Sequence, residues 1–407
     1  MRQTVSRRTL MLGTAGMAVA GASTAWAQKA TPGVTATEIK IGNTNPHSGP
    51  ASAYGTIAEL EDVFFNKMVN EQGGVGGRKI NYISLDDGYS PPKAVEQVRR
   101  LVEQDEVAFL FNPLGTPSNS AIQKYCNQKK VPQLLVATGA DKWGDYQHFP
   151  WTMGWAPSYR TEAQIYAKYI LANKPNAKIG IIYQNDDFGK DYVAGVKDVL
   201  GDKYDSMVVK AVTYEVTDAT IDSQINTLQA SGADVLVTGA TPKFGAMVIR
   251  KVFDVNWKPL HCMTNVSISV ASVMQPAGPE KGVGIITAAY LKDPTDPTWN
   301  DDPGMNELRA FMAKYMPKAD VTDGNYTYAY GVSMTMMQIL KQCGTDFSRE
   351  NIMKQATNLH DFVAPTVLPG IKVNTSPTNY HPIRAMQLQK WTGKTWALFG
   401  SVIQGAS

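Results

Sequence analysis

The chain has 407 residues, a length typical of two or three domains. Its 39 Lys and Arg residues nearly balance its 36 Asp and Glu residues, and 43% of all residues are hydrophobic, with 8 Trp, 18 Tyr and 12 Phe. This composition excludes an intrinsically disordered chain. A formal net charge of +3 also provides no basic surface of the kind that nucleic-acid-binding proteins use, so we expect no nucleic-acid partner.

The first 27 residues have the pattern of an export signal. They contain three arginines and no acidic residue, followed by an apolar stretch over 10–22 and a small-x-small cleavage pattern that ends at Ala27. The apolar stretch is too short to span a membrane, which takes roughly 20 residues. The adjacent Arg7 and Arg8 favour a twin-arginine signal over an ordinary secretory signal. We therefore predict cleavage after Ala27 and a periplasmic location.

The rest of the chain is electrically neutral and has few cysteines. The three arginines of the signal account for the whole net charge of +3. Cys126, Cys262 and Cys343 lack C-x-x-C spacing, which favours neither a disulfide framework nor a structural zinc site. We expect three buried thiols, with a single long-range disulfide as the alternative.

Short apolar strands alternate with helices through the first half of the chain. The patterns predict strands at 39–43, 80–85, 107–111 and 133–136, and helices at 54–70, 90–103 and 118–129. Ser90, followed by two prolines, is the predicted N-cap of the second helix. Alternation of this kind indicates βαβ units around a parallel sheet.

The same alternation restarts after Pro157. Helices are predicted at 161–171, 187–200, 221–230 and 243–255, and strands at 178–184, 207–214, 235–238 and 260–263. Two consecutive sheets with no change in composition predict two similar lobes. The tail is different, because two helices (306–315 and 328–342) precede β-like segments at 383–389 and a hairpin around 391–394.

Motifs for catalysis and cofactor binding are mostly absent. The chain has no P-loop and no G-x-S-x-G motif, and its five histidines show no metal-binding spacing. The pairs Asp86-Asp87 and Asp186-Asp187 each end a strand before a helix, where helix capping is the expected role and general-base catalysis the alternative. We therefore expect a protein that is not an enzyme and that has no cofactor and no metal site.

Loops rich in small and hydroxyl-bearing residues follow several of the predicted strands. They include the segments 114–116, 138–140 and 239–241. Backbone amides at the carboxyl ends of parallel strands point into the crevice where open α/β sheets bind ligands. These loops favour a binding site for a small anionic or polar molecule, although ordinary βα turns have a similar composition.

Four segments, taken together in their order along the chain, are more specific for one protein family than any one of them alone. They are Ile39-Lys40-Ile41-Gly42, Ser48-Gly49-Pro50, the run from Asn70 to Ile80 with its four glycines, and Asp187-Phe188-Gly189. Together they resemble the leucine/isoleucine/valine-binding family of type I periplasmic solute-binding proteins, which serve ABC importers. The resemblance implies an α/β fold of two Rossmann-like lobes joined by a three-strand hinge, with the ligand held between the lobes.

The resemblance also implies domain boundaries and partners. Lobe 1 would comprise 28–157 and 288–386, and lobe 2 would comprise 158–287 and 387–407. The partners would be a small carboxylate ligand and the permease subunits in the inner membrane, with the protein itself a monomer. A ligand-sensing receptor domain and a secreted enzyme are the alternatives from other functional classes.

Ligand contacts carry over from the family position by position. They fall on Tyr54, Leu114, Gly115, Thr116, Thr138, Gly139, Ala140, Tyr159, Arg160, Phe188, Ala240, Thr241 and Asn265. Two positions depart from the family pattern. Asn265 replaces the acidic residue that pairs with an amino-acid ammonium, and the other acidic position falls near Tyr159 and Arg160.

These departures bear on the identity of the ligand. A buried ammonium without a partner costs several kcal/mol, whereas Arg160 could hold a carboxylate through two hydrogen bonds. Tyr54, Trp155, Tyr159 and Phe188 could supply flat apolar walls. The stretch 149–155 is also similar to the aromatic-acid binders of the family. The pattern favours an aromatic acid of the benzoate or hydroxycinnamate type, with branched-chain or other amino acids, and then other small solutes, as alternatives.

Overall fold

The computed structural model describes Met1 and residues 31–405 of the chain. The predicted export signal, its twin arginines and its cleavage site fall on residues 2–30 and so lie outside the described residues, as do residues 406–407. The twin-arginine signal and the cleavage after Ala27 therefore stay predictions.

The first half of the described chain forms a five-stranded parallel sheet. Its strands are β1 (Glu38–Asn45), β2 (Lys79–Asp86), β3 (Phe109–Phe111), β4 (Gln133–Val136) and β5 (Thr152–Gly154), in the spatial order β2-β1-β3-β4-β5. The helices between them are α1 (Gly55–Val63), which continues as a π-helical segment (Phe64–Val69), α2 (Pro91–Glu103) and α3 (Thr116–Lys129). The strands and helices predicted for this region are confirmed, and β5 is an addition.

The second sheet is larger and is parallel at one end only. Its strands are β6 (Ile179–Gln184), β7 (Val208–Tyr214), β8 (Val235–Gly239), β9 (Leu260–Met263), β10 (Ile286–Ala289), β11 (Ala385–Trp391), β12 (Trp396–Leu398) and β13 (Ile403–Gln404). The spatial order is β12-β11-β10-β9-β8-β6-β7, with β13 paired to β11. Strands β11 and β12 form the predicted hairpin, and β11 runs antiparallel to β10.

Helices cover the second sheet in the same alternating manner. They are α4 (Tyr159–Asn173), α5 (Asp187–Leu200), α6 (Tyr204–Met207), α7 (Asp222–Ala230), α8 (Pro242–Asp254) and α9 (Gln275–Ala277), with a π-helical segment at Val270–Met274. Short 3-10 turns occur at Ser52–Tyr54, Asp141–Gly144, Gly201–Lys203, Asn265–Ser267, Pro279–Gly282 and Pro297–Trp299. Strands such as β6 are buried along most of their length, which explains their nearly continuous apolar sequence.

The helices after β10 return to the first sheet. They are α10 (Pro303–Tyr315), α11 (Gly324–Gln342) and α12 (Arg349–Ala356). Helix α11 packs against α1, and Phe311 of α10 contacts Phe64. The Arg349 side chain of α12 donates hydrogen bonds to the carbonyl oxygens of Val107 and Ala108 beside β3. These helices and the first sheet make the first lobe, and the second sheet with α4–α9 makes the second lobe.

The chain passes between the lobes three times. The passages lie between β5 and α4, after β10, and before β11. The predicted two-lobe α/β fold is confirmed, whereas the residue boundaries that the resemblance implied stay a prediction. Cys126, Cys262 and Cys343 are buried free thiols, as expected.

Side-chain caps fix where many of the helices begin. Asp186 accepts a hydrogen bond from the Gly189 N–H at 3.2 Å, so its predicted capping role at α5 is confirmed. The same role belongs to four further residues, Ser158, Asp302, Asp323 and Ser348. Ser90 precedes α2 as predicted, but its hydroxyl makes no capping bond. That part of the prediction is wrong: the prolines at 91 and 92 have no N–H, and the hydroxyl does not accept a hydrogen bond from the next N–H, that of Lys93.

The carboxylates of Asp86 and Asp87 accept hydrogen bonds from loop residues rather than from the start of α2. Asp86 accepts hydrogen bonds from the backbone N–H groups of His47, Ser48 and Gly88. Asp87 accepts one from the N–H of Tyr89 at 2.8 Å. The capping role predicted for this pair is therefore wrong, since the pair joins the loop after β1 to the loop after β2.

A buried carboxyl group joins α1, the first sheet and α11. Glu61 is fully buried, and its Oε2 accepts a hydrogen bond from the Tyr82 hydroxyl at 2.5 Å, while its Oε1 accepts one from Asn112 Nδ2. The Tyr328 hydroxyl of α11 donates in turn to Asn112 Oδ1 at 2.8 Å. Loss of water around the carboxyl group raises the pKa of Glu61 to about 8, which outweighs the opposite effect of its two hydrogen bonds.

This raised pKa predicts how stability depends on pH. Between about pH 4.5 and 8 the folded protein keeps a proton on Glu61 that the unfolded chain has lost, so the free energy of unfolding falls as the pH rises. The slope for one group is at most about 1.4 kcal/mol per pH unit. Burial raises the pKa values of Glu162 and Asp191 to about 7, so these two acids lose most of their protons by pH 8 and Glu61 accounts for a growing share of the slope above pH 7.

Glu61→Gln should therefore reduce the fall of the thermal-unfolding midpoint with pH between pH 7 and 8, because an amide does not titrate. The exposed Glu59→Gln on the same helix is the matched control and should keep the wild-type slope. Thermal unfolding from pH 5 to 9 measures both. An unchanged slope in Glu61→Gln would contradict the assignment of the buried proton.

Candidate functional site

A cavity of about 970 Å³, including the part open to solvent, lies between the carboxyl edges of the two sheets. Its wall is built from the loops after β3, β4, β8, β9 and β10 and from the first turns of several helices. This is the place where open parallel sheets bind ligands. Nine residues predicted as ligand contacts line it: Tyr54, Leu114, Gly115, Thr116, Thr138, Tyr159, Phe188, Thr241 and Asn265.

Four predicted contacts do not line the cavity. Gly139 packs behind Tyr159, whose ring would lie 2.9 Å from a Cβ atom at that position. Ala140 and Ala240 are buried within the protein, and the Ala240 carbonyl oxygen accepts a hydrogen bond from Ser267. These positions shape the loops that carry their neighbours to the wall.

Arg160, the fourth predicted contact that does not line the cavity, forms an ion pair with Asp198. Its Nε and Nη2 donate to the two carboxylate oxygens of Asp198 at 2.6 and 2.8 Å, in a partly exposed ion pair. That pair holds the pKa of Asp198 below its usual value. The expectation that Arg160 grips a ligand carboxylate is therefore wrong, because its guanidinium group faces α5 instead of the cavity.

The first turn of α3 forms the wall that suits an anion. Gly115 precedes the helix with φ 97°, a conformation that favours glycine, and a Cβ atom there would lie 2.6 Å from the ring of Tyr89. Thr116 and Thr138 lie on the wall and are hydrogen-bonded to each other through their hydroxyl groups. The N–H groups that begin a helix have no partner within it, and the helix dipole favours a negative charge there.

Aromatic rings make up much of the remaining wall. They belong to Tyr54, Tyr89, Tyr159, Phe188, Tyr290, Tyr328 and Trp396. The rings of Tyr159 and Phe188 meet edge to face, with centroids 4.8 Å apart. Trp155, suggested by the sequence as a wall, is fully buried and supports Tyr290 and Tyr328 from behind, with centroids 5.8 and 5.3 Å away.

Sequence reasoning missed four of these aromatic residues. Tyr89 lies in the loop after β2, Tyr290 directly follows β10, which was not predicted, and Trp396 lies in the terminal hairpin. Tyr328 marks the start of a predicted helix, but nothing in the sequence shows that its ring faces the cavity. Recognising β10 would have been the one available signal for Tyr290, since residues after parallel strands meet at the same edge.

The charged residues of the wall are already paired within the protein. Among the described residues that line the cavity, only Lys292 and Asp293 carry charge. Lys292 Nζ donates to Asp302 Oδ1 at 2.7 Å and to the Pro365 carbonyl oxygen at 2.8 Å. Asp293 accepts hydrogen bonds from two threonine hydroxyls and from the backbone N–H of Trp396.

A buried acid lies directly behind Asn265. Glu162 Oε1 accepts hydrogen bonds from the Asn265 backbone N–H at 2.8 Å and from the Tyr166 hydroxyl. Its Oε2 accepts from the Tyr192 hydroxyl at 2.7 Å and from Asn265 Nδ2. Burial raises the pKa of Glu162 to about 7 in spite of these bonds. Four donors saturate the carboxyl group, so it is not available as a direct partner for a ligand.

Hydrogen bonds close the cavity by joining the two lobes. The Tyr54 hydroxyl donates to the Val266 carbonyl oxygen at 3.1 Å. Ser269 donates to Asp323 Oδ1 at 2.7 Å, and Asp323 is held in the first lobe by a hydrogen bond from Thr56. Opening of the cleft would break these bonds, so the structure represents a closed arrangement.

Comparison with known proteins places the chain in a family. The sequence model of a family described as "Periplasmic binding protein" matches residues 38–395. A curated relative, the "Leu/Ile/Val-binding protein homolog 7" of Brucella abortus, is 23% identical over 366 residues, which cover 87% of this chain and 89% of the relative.

Two solved structures are similar in fold. A branched-chain amino acid ABC transporter protein from Thermus thermophilus with bound valine has a TM-score of 0.82 at 14% identity, covering 92% of this chain and 98% of that one. A solute-binding protein of an ABC transporter from R. palustris in complex with 4-hydroxybenzoate has a TM-score of 0.74 at 17% identity, covering 90% and 97%.

The fold and the central cavity define a type I periplasmic binding protein. The chain belongs to the periplasmic binding protein family, and the curated relative that it resembles is a Leu/Ile/Val-binding protein homolog. Members of this family are exported to the periplasm, bind small molecules and work with ABC permeases, and they are transport proteins rather than enzymes. Within residues 31–405, no helix has the length and apolar character that a membrane span requires.

Proposed function

We propose that this protein captures a small carboxylate solute for an ABC importer, and that the solute is an aromatic acid of the benzoate or hydroxycinnamate type. One observation carries the proposal: the start of α3, which suits an anion, faces the same cavity as seven aromatic rings. A ligand with a carboxylate at one end and a flat apolar body matches both features.

The carboxylate would be held by dipoles rather than by an ion pair. One of the Thr116 and Thr138 hydroxyls donates to the other, so the pair leaves one hydroxyl proton for the ligand. In the first turn of α3, Thr116 and Ser118 carry backbone N–H groups, whereas Pro117 has none. Hydrogen bonds to a charged group contribute about 1.5–3 kcal/mol each, so two or three of them suffice for micromolar binding when the rest of the ligand is also buried. Arg160 has no part in this arrangement, because Asp198 occupies its guanidinium group.

The surroundings of Asn265 argue against a zwitterionic ligand. An ammonium group that leaves water needs an anionic partner with a free oxygen. Asn265 is neutral, and Glu162 behind it already accepts four hydrogen bonds. Asp293 Oδ2 accepts three hydrogen bonds, and its Oδ1, which accepts only from the Thr295 N–H, is the acidic oxygen of the wall with the most acceptor capacity left. The aromatic rings contribute contact area, which an aromatic acid uses more fully than a short aliphatic side chain.

Branched-chain amino acids are the second candidate. The curated relatives bear the name of Leu/Ile/Val-binding proteins, and the structure from Thermus thermophilus contains valine. In that case the ammonium would have to be held by the Asn265 oxygen and carbonyl groups, with Glu162 ionised behind them. The complex from R. palustris with 4-hydroxybenzoate supports the first candidate, since its fold accommodates an aromatic acid.

Calorimetric titration distinguishes the two candidates. We expect 4-hydroxybenzoate or p-coumarate to bind with a dissociation constant in the micromolar range or below, and leucine and valine to give no heat of binding. The ligand should be recovered unchanged after incubation, as expected of a binding protein. Tight binding of leucine with no response to either aromatic acid would contradict the proposal, and a reaction product would contradict the whole functional class.

Two variants test where the carboxylate lies. Thr116→Val removes one hydroxyl at the start of α3 while keeping the shape of the side chain, and should weaken binding of the aromatic acid about tenfold. Arg160→Ala should change the dissociation constant by less than about twofold, because the guanidinium group is outside the cavity. The same titration measures both variants. A large loss of affinity in Arg160→Ala, with none in Thr116→Val, would place the carboxylate elsewhere.

A further inference from the structure

Asn265 and Tyr290 occupy neighbouring positions on the second-lobe wall of the cavity. Strand β9 ends at Met263 and its parallel neighbour β10 ends at Ala289, so the residues that follow both strands meet at the same edge of the sheet. Both residues line the cavity. They stand on the lobe opposite Thr116 and Thr138, which face the cavity from the first lobe.

Glu162 determines which atom of Asn265 is offered to the cavity. The Asn265 Nδ2 group donates to Glu162 Oε2, and the backbone N–H of the same residue donates to Glu162 Oε1 at 2.8 Å. Asn265 Oδ1 is left as an acceptor with no hydrogen-bond partner among the described residues. A proton on Oε1 of Glu162 leaves Oε2 free to accept, so this orientation holds in both protonation states of the acid.

Tyr290 offers a hydroxyl group that nothing in the described structure satisfies. The residue is only 4% exposed, and its ring packs edge to face against Trp155. Its hydroxyl has no hydrogen-bond partner among residues 31–405, although the hydroxyls of Tyr54 and Tyr328, which line the same cavity from the first lobe, both donate to protein oxygens. The hydroxyl is not among the fully enclosed polar atoms of the protein, so water can reach it in the empty cavity. A ligand that displaces this water without offering a matching group leaves the hydroxyl unpaired, at a cost in free energy.

We propose that Asn265 Oδ1 and the Tyr290 hydroxyl form a subsite for a hydroxyl group on the aromatic ligand. This inference rests on the proposed function and adds the substituent that the site selects. The ligand hydroxyl donates to Asn265 Oδ1 and accepts from Tyr290, while the carboxylate at the other end binds the start of α3. An unsubstituted ring leaves both protein groups unpaired when the cleft closes, so the site discriminates against it. Glu162 is a positioning residue that keeps the acceptor of Asn265 towards the cavity.

Paired titrations of the full protein test this subsite. The probes are 4-hydroxybenzoate against benzoate, and p-coumarate against cinnamate. In the wild-type protein the hydroxylated acid of at least one pair should bind about tenfold more tightly than its unsubstituted counterpart. Tyr290→Phe should reduce that ratio to about threefold or less, because the variant has no hydroxyl to pair with the ligand's or to be left unpaired.

Two further variants separate the subsite from a general structural effect. Tyr169→Phe is the matched control, since Tyr169 lies on α4 outside the cavity, and it should keep the wild-type ratio. Glu162→Gln replaces one accepting oxygen by an amide group, which favours rotation of the Asn265 side chain, and should lower the ratio as well. The ratio of the two dissociation constants does not change when a variant weakens the binding of both acids equally.

The outcomes distinguish this inference from the proposed function. Equal binding of both acids of each pair to the wild-type protein overturns the subsite and leaves the aromatic-acid function standing. A tenfold preference that survives in both Tyr290→Phe and Glu162→Gln also overturns it. If no acid of either pair binds, the proposed function fails and the subsite fails with it.

Discussion

A helix that follows a parallel strand begins with N–H groups that the helix itself cannot satisfy, and this chain directs such a helix at the cavity. Helix α3 follows β3 in the first lobe, with Thr116 on the wall, whereas α8 in the second lobe begins with Pro242, and the N–H of Thr241 before it donates to the Tyr214 hydroxyl. The site therefore already contains donors and a positive potential without an unpaired cation. The closed lobes reduce the access of water to the same space, which strengthens the polar contacts that a ligand makes there.

Two buried carboxyl groups organise the polar side chains around the cavity. Glu61 holds Asn112, which accepts a hydrogen bond from Tyr328, and Glu162 holds Asn265. Burial raises the pKa of the first acid to about 8 and that of the second to about 7, a cost in stability that hydrogen bonds only partly offset. In return each acid fixes the orientation of an amide group, and satisfied buried networks of this kind make a site rigid.

The fold was predictable where one physical signal dominated. Strand β6 is nearly all apolar because both faces of the sheet are covered, and Asp186 marks the start of α5 because a carboxylate satisfies its first N–H groups. Strands β5 (Thr152–Gly154) and β10 (Ile286–Ala289) lack the run of large apolar residues that marks the equally short β3 and β4. Because β10 was not predicted, the position of Tyr290 at the edge of the sheet was not predicted either.

The site was predictable only as far as loop positions determine it. Residues at strand ends, such as Thr116 and Thr138, reach the cavity because the sheet places them there. The direction of a helical side chain depends on rotation about the helix axis, and consecutive residues point about 100° apart. Tyr159 therefore faces the cavity while Arg160 faces Asp198, a difference that sequence spacing does not reveal.

The most direct measurement is a crystal structure of the protein grown with 4-hydroxybenzoate and, separately, with leucine. The account predicts an aromatic acid between the lobes, with its carboxylate oxygens within hydrogen-bonding distance of Thr116 and Thr138 and its ring among the tyrosines of the wall. A carboxylate bound instead to Lys292, or a bound leucine whose ammonium contacts Asn265 while the aromatic acid is absent from the cavity, would contradict it.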